Sequence, residues 1–107
     1  RSPFNNIITE AVGTFMLVFG VMMMAAPQEG LGTLNALPAA LLLFGIGLSL
    51  GGPTGFAVNP ARDLGPRIMH AILPMANKRD SDWDYAYVPV VGGVVGGLIA
   101  AGVYSML

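Results

Sequence analysis

Three long stretches of this chain carry no charge, and the polar breaks between them are short. Residues 11–28, 31–61 and 85–107 contain no Asp, Glu, Lys or Arg. A bilayer core about 30 Å thick is crossed by about 20 apolar residues of helix. The first run, extended upstream by Ile7 and Ile8, has that length. Pro3, with Asn5 or Asn6 behind it, supplies a start and Pro27 a stop. The pattern predicts a spanning helix over about 6–26.

A turn follows at 28–33, with Glu29, Gly30 and Gly32. The second uncharged run is 31 residues long. One span does not need that many, and two with a turn between them need more. Gly51-Gly52-Pro53-Thr54-Gly55 resolves the mismatch, because such a stretch is poor helix interior. A second span is expected over about 35–50, after which the chain turns irregular while still apolar. Asn59 then restarts a helix. Asn is a strong N-cap, and Pro60 at the first helical position gives up no needed donor. This helix is expected to end near Ile72, before Pro74. Its 13 or so residues rise about 20 Å, enough to reach from mid-bilayer to one face.

Residues 74–84 are polar, with Lys78, Arg79, Asp80, Asp82 and Asp84. Residues 85–107 form a third expected span, opened by Trp83, Tyr85 and Tyr87 in the manner of interfacial aromatics. The fold class is therefore an all-α membrane protein: three transmembrane helices plus a re-entrant loop and half-helix over about 51–72.

Composition narrows the function classes. Of 107 residues, 54% are apolar and 10% charged, far below the roughly 25% charged of soluble domains. A net charge of −1 gives no reason to expect nucleic acid. With no cysteine and one histidine, thiol chemistry and a His-rich metal site are excluded, and no cofactor is implied. No nucleophile–base pair suggests catalysis. Asp80, Asp82 and Asp84 have the alternate spacing that opens a calcium loop, but Tyr85 and Val91 stand where its glycine and glutamate belong. The chain starts at Arg1 without an initiator methionine, a signal-peptide n-region or a cleavage pattern, so part of a longer protein is expected.

The chemistry concentrates where the half-helix starts. Arg62, its third residue, puts a positive charge near the positive end of the helix dipole, unfavourable by about 0.3–1 kcal/mol. Placing it at membrane depth costs on the order of 3 kcal/mol more. Two broken rules at one residue point to function, and the candidate is a pore lining. The competing reading is a structural ion pair, Arg62 with Asp63, or Asp63 with Arg67 one turn on. Asn59 can cap with its side-chain oxygen and still donate from its amide into open space. Extended backbone at Gly55, Phe56, Ala57 and Val58 can offer a ladder of carbonyl acceptors, since irregular backbone at this depth survives only in protein or along water. Carbonyls on one side and a donor at the end suit water or a polyol, with Phe56 as an apolar wall.

Other residues support this frame. Glu10 lies one to two turns into the first span, where it either reaches the interface or accepts from the irregular loop's N–H groups. The second arrangement is the expected one. Gly92, Gly96, Ala100 and Gly93, Gly97, Ala101 form two small-residue rows that let helices approach closely, and Gly13, Gly20 and Gly45 hint at the same. Gly47 is set apart, as a missing side chain that widens the pore. Met22, Met23 and Met24 read as lipid-facing or packing residues, and His70 as an interfacial one.

The run Gly52-Pro53-Thr54-Gly55-Phe56-Ala57-Val58-Asn59-Pro60-Ala61-Arg62-Asp63-Leu64-Gly65-Pro66 closely resembles the second Asn-Pro-Ala loop of the aquaporin family. The resemblance covers residues 5–107 and extends to the family's whole second half, one part of an inverted-repeat bundle. Within the family the chain looks like the aquaglyceroporin branch. Asp63 follows the arginine directly, Arg67 is basic four residues later, and Pro89-Val90 opens the last span. That branch widens its filter with a glycine nine residues before the phenylalanine, the place of Gly47. The resemblance implies that Arg62, Phe56 and Gly47 supply part of a selectivity filter, and that Asn59, with Pro60 and Ala61, is one of two central donors. Glu10, Asp63 and Arg67 are expected to give structural support. Family channels need two such half-helices and this chain has one, so a missing N-terminal half is implied, either a separate chain or the rest of this one. The family places loop 74–84 outside, where Lys78 and Arg79 oppose the positive-inside bias, so the other half is expected to set the orientation.

The resulting expectation is a passive channel in the cell membrane for glycerol, similar small uncharged solutes and water, excluding ions and protons. Its partners would be lipid, the other half and, as in the family, further copies in a homotetramer. The alternatives are a water-selective pore and half of a secondary transporter, which also uses broken helices at the midplane.

Overall fold

The computed structural model describes residues 2–24 and 34–107. Four helices make up the described chain: α1 (Pro3–Met23), α2 (Leu37–Thr54), α3 (Pro60–Ile72) and α4 (Tyr87–Ser105), with a 3₁₀ turn at Trp83–Tyr85 leading into α4. There is no strand among the described residues. Three helical segments, Pro3–Met23, Leu37–Thr54 and Trp83–Ser105, are long and apolar enough to cross a membrane. The expected turn at 28–33 and the stop at Pro27 lie outside the described residues.

Helix α1 starts three residues earlier than the sequence pattern suggests. The Ser2 hydroxyl accepts from the Asn5 amide at 3.4 Å, and Pro3 takes the first helical position. Ser2 therefore caps the helix, Pro3 opens it as expected, and Asn6 is buried. A larger difference concerns α2. Its helix does not stop at residue 50 but continues through Gly51, Gly52, Pro53 and Thr54. Pro53 gives up the bond its position would make to the Ser49 carbonyl, but one residue from the end it has almost no helix after it to kink. Gly55 closes the helix in the left-handed region at φ 74°, its amide bonded to the Gly51 carbonyl at 2.7 Å.

Helix α1 lies between α4 and α2, and α3 leans on α4. The α1–α4 seam is close because of glycine. A Cβ at Gly92 would press on the Glu10 Cβ and the Ile7 carbonyl, and one at Gly96 would run into the Ala11 carbonyl and Thr14. Gly92, Gly96 and Ala100 are buried there. The second small row divides. Gly93 receives the Pro60 ring, whose Cδ would stand 3.2 Å from an added Cβ, whereas a Cβ at Gly97 would meet nothing in the described chain. On the other flank Gly20 accommodates Leu42 of α2.

These seams set the depth of α3. Glu10 is eight residues into α1 and Gly93 seven into α4, so each lies about 10 Å from its helix's start. The loop before α3 is tied to the first and Pro60 rests on the second. The half-helix thus begins well inside the layer that the spans define. Its far end is finished by Lys78, whose Nζ donates to the carbonyls of Ala71 and Leu73, both at 3.1 Å.

Candidate functional site

The loop 55–58 has every amide committed inward. Gly55 N–H goes to the Gly51 carbonyl at 2.7 Å and Phe56 N–H to the Thr54 hydroxyl at 3.2 Å. Ala57 N–H and Val58 N–H go to the two oxygens of Glu10, at 3.1 and 2.8 Å. Glu10 is 1% exposed, so its carboxylate serves the loop and does not reach the interface. Among the described residues no donor reaches the carbonyls of Gly55, Phe56, Ala57 or Val58. A strip of unspent acceptors is what remains.

The strip is not the extended ladder that the sequence suggests. Phe56 and Val58 have φ of 42° and 46°, in the left-handed region that side chains disfavour, and Val58 is β-branched as well. Such residues cost about 1–3 kcal/mol each. The reason lies in Glu10. Extended backbone alternates its amides from side to side, whereas here successive amides must face one carboxylate. Two charge-assisted bonds in a buried place offset the strain.

At the start of α3, the Asn59 side-chain oxygen accepts from Ala61 N–H at 2.8 Å and from Arg62 N–H at 3.4 Å. With the oxygen so used, the amide N–H₂ has no acceptor among the described residues, and Asn59 is exposed. Arg62 is exposed as well. Its guanidinium stands over the Phe56 ring, 4.5 Å from the centroid. The ring in turn rests on Gly47, where a Cβ would come within 2.7 Å of its Cζ. Arg62, Phe56 and Gly47 therefore form one stack.

Asp63 and Arg67 make a separate unit. Arg67 donates from Nε and Nη2 to the Asp63 carboxylate at 2.9–3.1 Å, and its Nη1 reaches the carbonyls of Ser81 at 2.6 Å and Asp82 at 2.8 Å. So the ion pair the sequence offered as a competing reading exists, but it belongs to Asp63 and Arg67 and leaves Arg62 to the aromatic ring. His70 joins the same anchor, its Nδ1 2.7 Å from the Ser81 hydroxyl. No group of three or more His, Cys, Asp or Glu able to hold a metal occurs among the described residues.

Sequence reasoning passed over Thr54 and the reach of Arg67. Thr54 carried a signal, since a hydroxyl two residues before a loop amide is the usual side-chain turn. The Arg67 contacts span 14 and 15 residues and carried none.

Residues 2–104 match the family described as Major intrinsic protein. The chain belongs to the major intrinsic protein family. Three relatives show its neighbourhood. Glycerol uptake facilitator protein 3 of Lactiplantibacillus plantarum is 52% identical over 107 residues, which is 100% of this chain and 44% of that one. Glycerol uptake facilitator protein of Streptococcus pneumoniae is 53% identical over 108 residues, 99% of this chain and 45% of that one. A D/L-lactic acid transporter of L. plantarum is 48% identical over 102 residues, 94% and 42%. No solved structure gives a significant match. This major intrinsic protein chain spans less than half the length of the curated relatives it matches, and corresponds to their C-terminal half. Membership makes it an integral membrane protein, with the three apolar spans described above.

Proposed function

We propose that this chain is the second half of a passive channel conducting glycerol, related small uncharged solutes and water. The observation that carries the reading is the loop 55–58: four amides turned into protein and, among the described residues, four carbonyls left without a donor, at membrane depth. Unpaired carbonyls there are costly unless a permeant satisfies them. A solute moving past would exchange hydroxyl bonds from Val58 toward Gly55 and meet Asn59 as a donor. At the Arg62–Phe56–Gly47 stack, its hydroxyls would bond the guanidinium while its carbons slide along the ring.

The same parts explain what is kept out. Arg62 and the positive end of α3 repel cations. The Asn59 donor orients the central water so that it cannot relay protons. The glycerol uptake facilitators at about half identity support glycerol as the permeant, and the lactic acid transporter adds a small neutral hydroxy acid to the solutes worth testing. An N-terminal half with its own half-helix would close the pore opposite Asn59 and Arg62. The finished channel is read as a homotetramer, with Gly97 and other surfaces uncovered here available for its contacts.

The test uses proteoliposomes carrying the complete channel that includes these residues. Stopped-flow light scattering should show glycerol uptake with a shallow temperature dependence and no saturation at modest concentrations. Phe56→Ala and Arg62→Ala should each change the ratio of glycerol to larger-polyol permeability. Saturable uptake coupled to an ion gradient would overturn the channel reading, and unchanged solute ratios in both variants would overturn the filter.

A further inference from the structure

The Phe56 ring is not seated by Gly47 alone. A Cβ built at Gly47 would stand 2.7 Å from Cζ, 3.0 Å from Cε1 and 3.1 Å from Cε2. Near-equal distances to both Cε atoms, only slightly longer than that to Cζ, belong to an atom above the ring face. An atom in the ring plane would be much farther from Cε. The tip of the ring therefore lies flat over Gly47. One turn along α2, a Cβ at Gly51 would stand 3.3 Å from Cδ1 and 3.9 Å from Cε1 of the same ring, and near nothing else. Between them the two glycines underlie the ring from tip to shoulder. Gly52, next in sequence, has open space where a Cβ would be.

We infer that Gly51 is a second specificity-determining position, which sets how deep Phe56 sits against α2 and so how wide the filter is. The inference rests on the filter role given above to Phe56 and Arg62. Gly51 touches no solute; it acts by positioning the ring. Its φ is not in the left-handed region, so alanine is conformationally allowed, and its place in the last turn of a helix favours alanine slightly over glycine. The added methyl would meet the ring and nothing else. At 3.3 Å the ring must give by a few tenths of an ångström. A shift away from α2 carries the ring toward the Arg62 guanidinium that stands over it. The opening narrows, while the carbonyls and the Asn59 donor stay where they are. Water, the smallest permeant, is affected least.

The experiment is a graded series in the complete channel: Gly47→Ala, Gly51→Ala and Gly52→Ala, with water, glycerol and a five-carbon polyol measured in the same proteoliposomes. Gly51→Ala should lower the glycerol-to-water ratio by about threefold or more, and the ratio for the five-carbon polyol further, since one carbon's misfit is worth a tenfold effect or more where contact is tight. Gly47→Ala should act in the same direction and more strongly, and Gly52→Ala should leave the ratios unchanged. In a Phe56→Ala background, Gly51→Ala should add nothing, because the ring it displaces is gone. Equal loss of water and glycerol permeability in Gly51→Ala would overturn the inference, as would an effect that persists without the ring. If Phe56→Ala itself leaves selectivity untouched, the filter reading fails first. If Phe56→Ala alters selectivity and Gly51→Ala does not, only the role of Gly51 falls.

Discussion

The buried carboxylate of Glu10 accepts the Val58 amide at 2.8 Å across 48 positions of sequence, and Val58 holds a left-handed backbone conformation to make that bond. Glu10→Gln replaces one acceptor oxygen with an N–H₂ that faces an amide donor. Leaving a buried donor unmet costs about 1–3 kcal/mol, and the strain at Phe56 and Val58 loses its counterweight. The complete channel carrying this change should lose most glycerol permeability and melt at a lower temperature in detergent. Full permeability in Glu10→Gln would show that the loop holds its shape without the carboxylate.

Asn59 has two duties that substitution can separate. Asn59→Asp keeps an oxygen for the amides of Ala61 and Arg62 but removes the outward donor and adds a negative charge. Asn59→Ala removes both, and the lost cap should cost about 1 kcal/mol. The aspartate variant should remain folded and begin to pass protons or cations, read with a pH-sensitive dye inside liposomes under a gradient. A tight, proton-impermeable Asn59→Asp channel would count against the donor role.

Arg67 binds a carboxylate and two backbone carbonyls at once, which a lysine ammonium cannot reproduce from one position. Arg67→Lys should free the segment around Ser81 and Asp82 while leaving α3 capped by Asn59. Hydrogen–deuterium exchange should then rise at residues 81–86, with a stability loss of about 1–3 kcal/mol. Unchanged exchange there would mean that the turn at Trp83–Tyr85 holds itself.

Gly96 sets the distance between α1 and α4. Gly96→Ala forces a methyl against the Ala11 carbonyl and Thr14, backbone and a packed side chain that cannot swing away. Overpacking of this kind costs about 1–3 kcal/mol. The yield of folded channel in detergent should drop, whereas Gly45→Ala, with open space at its Cβ, should be tolerated by this half of the protein. Equal yields for the two would place the α1–α4 contact elsewhere.

The sequence carried the spans and the half-helix in signals that are local. Uncharged run length gave the spans, and Asn59-Pro60 gave the start of α3, because capping involves only neighbouring residues. The Asp63–Arg67 pair is likewise one turn apart. The end of α2 misled, because Gly51, Gly52 and Pro53 read as helix breakers, yet Pro53 lies one residue from the helix end, where a kink has almost no helix left to disturb. The left-handed Phe56 and Val58 were illegible for a different reason. Their conformation answers to Glu10, on another helix, and no local preference of phenylalanine or valine points to it. The glycine seat under Phe56 was half visible: Gly47 stood out by its place, and Gly51 was absorbed into what looked like a loop.

The 48-residue gap between Glu10 and Val58 also has a meaning in time. At roughly 5–20 residues per second of synthesis, Glu10 emerges about 2–10 seconds before the amides that will bind it. During that interval α1 is an apolar helix with a lone carboxylate, and it stays poorly suited to lipid until the loop arrives. The nascent chain therefore passes through a stage at which its first helix is better held by a protein or watery surrounding than released, and the loop's arrival is the event that makes release favourable.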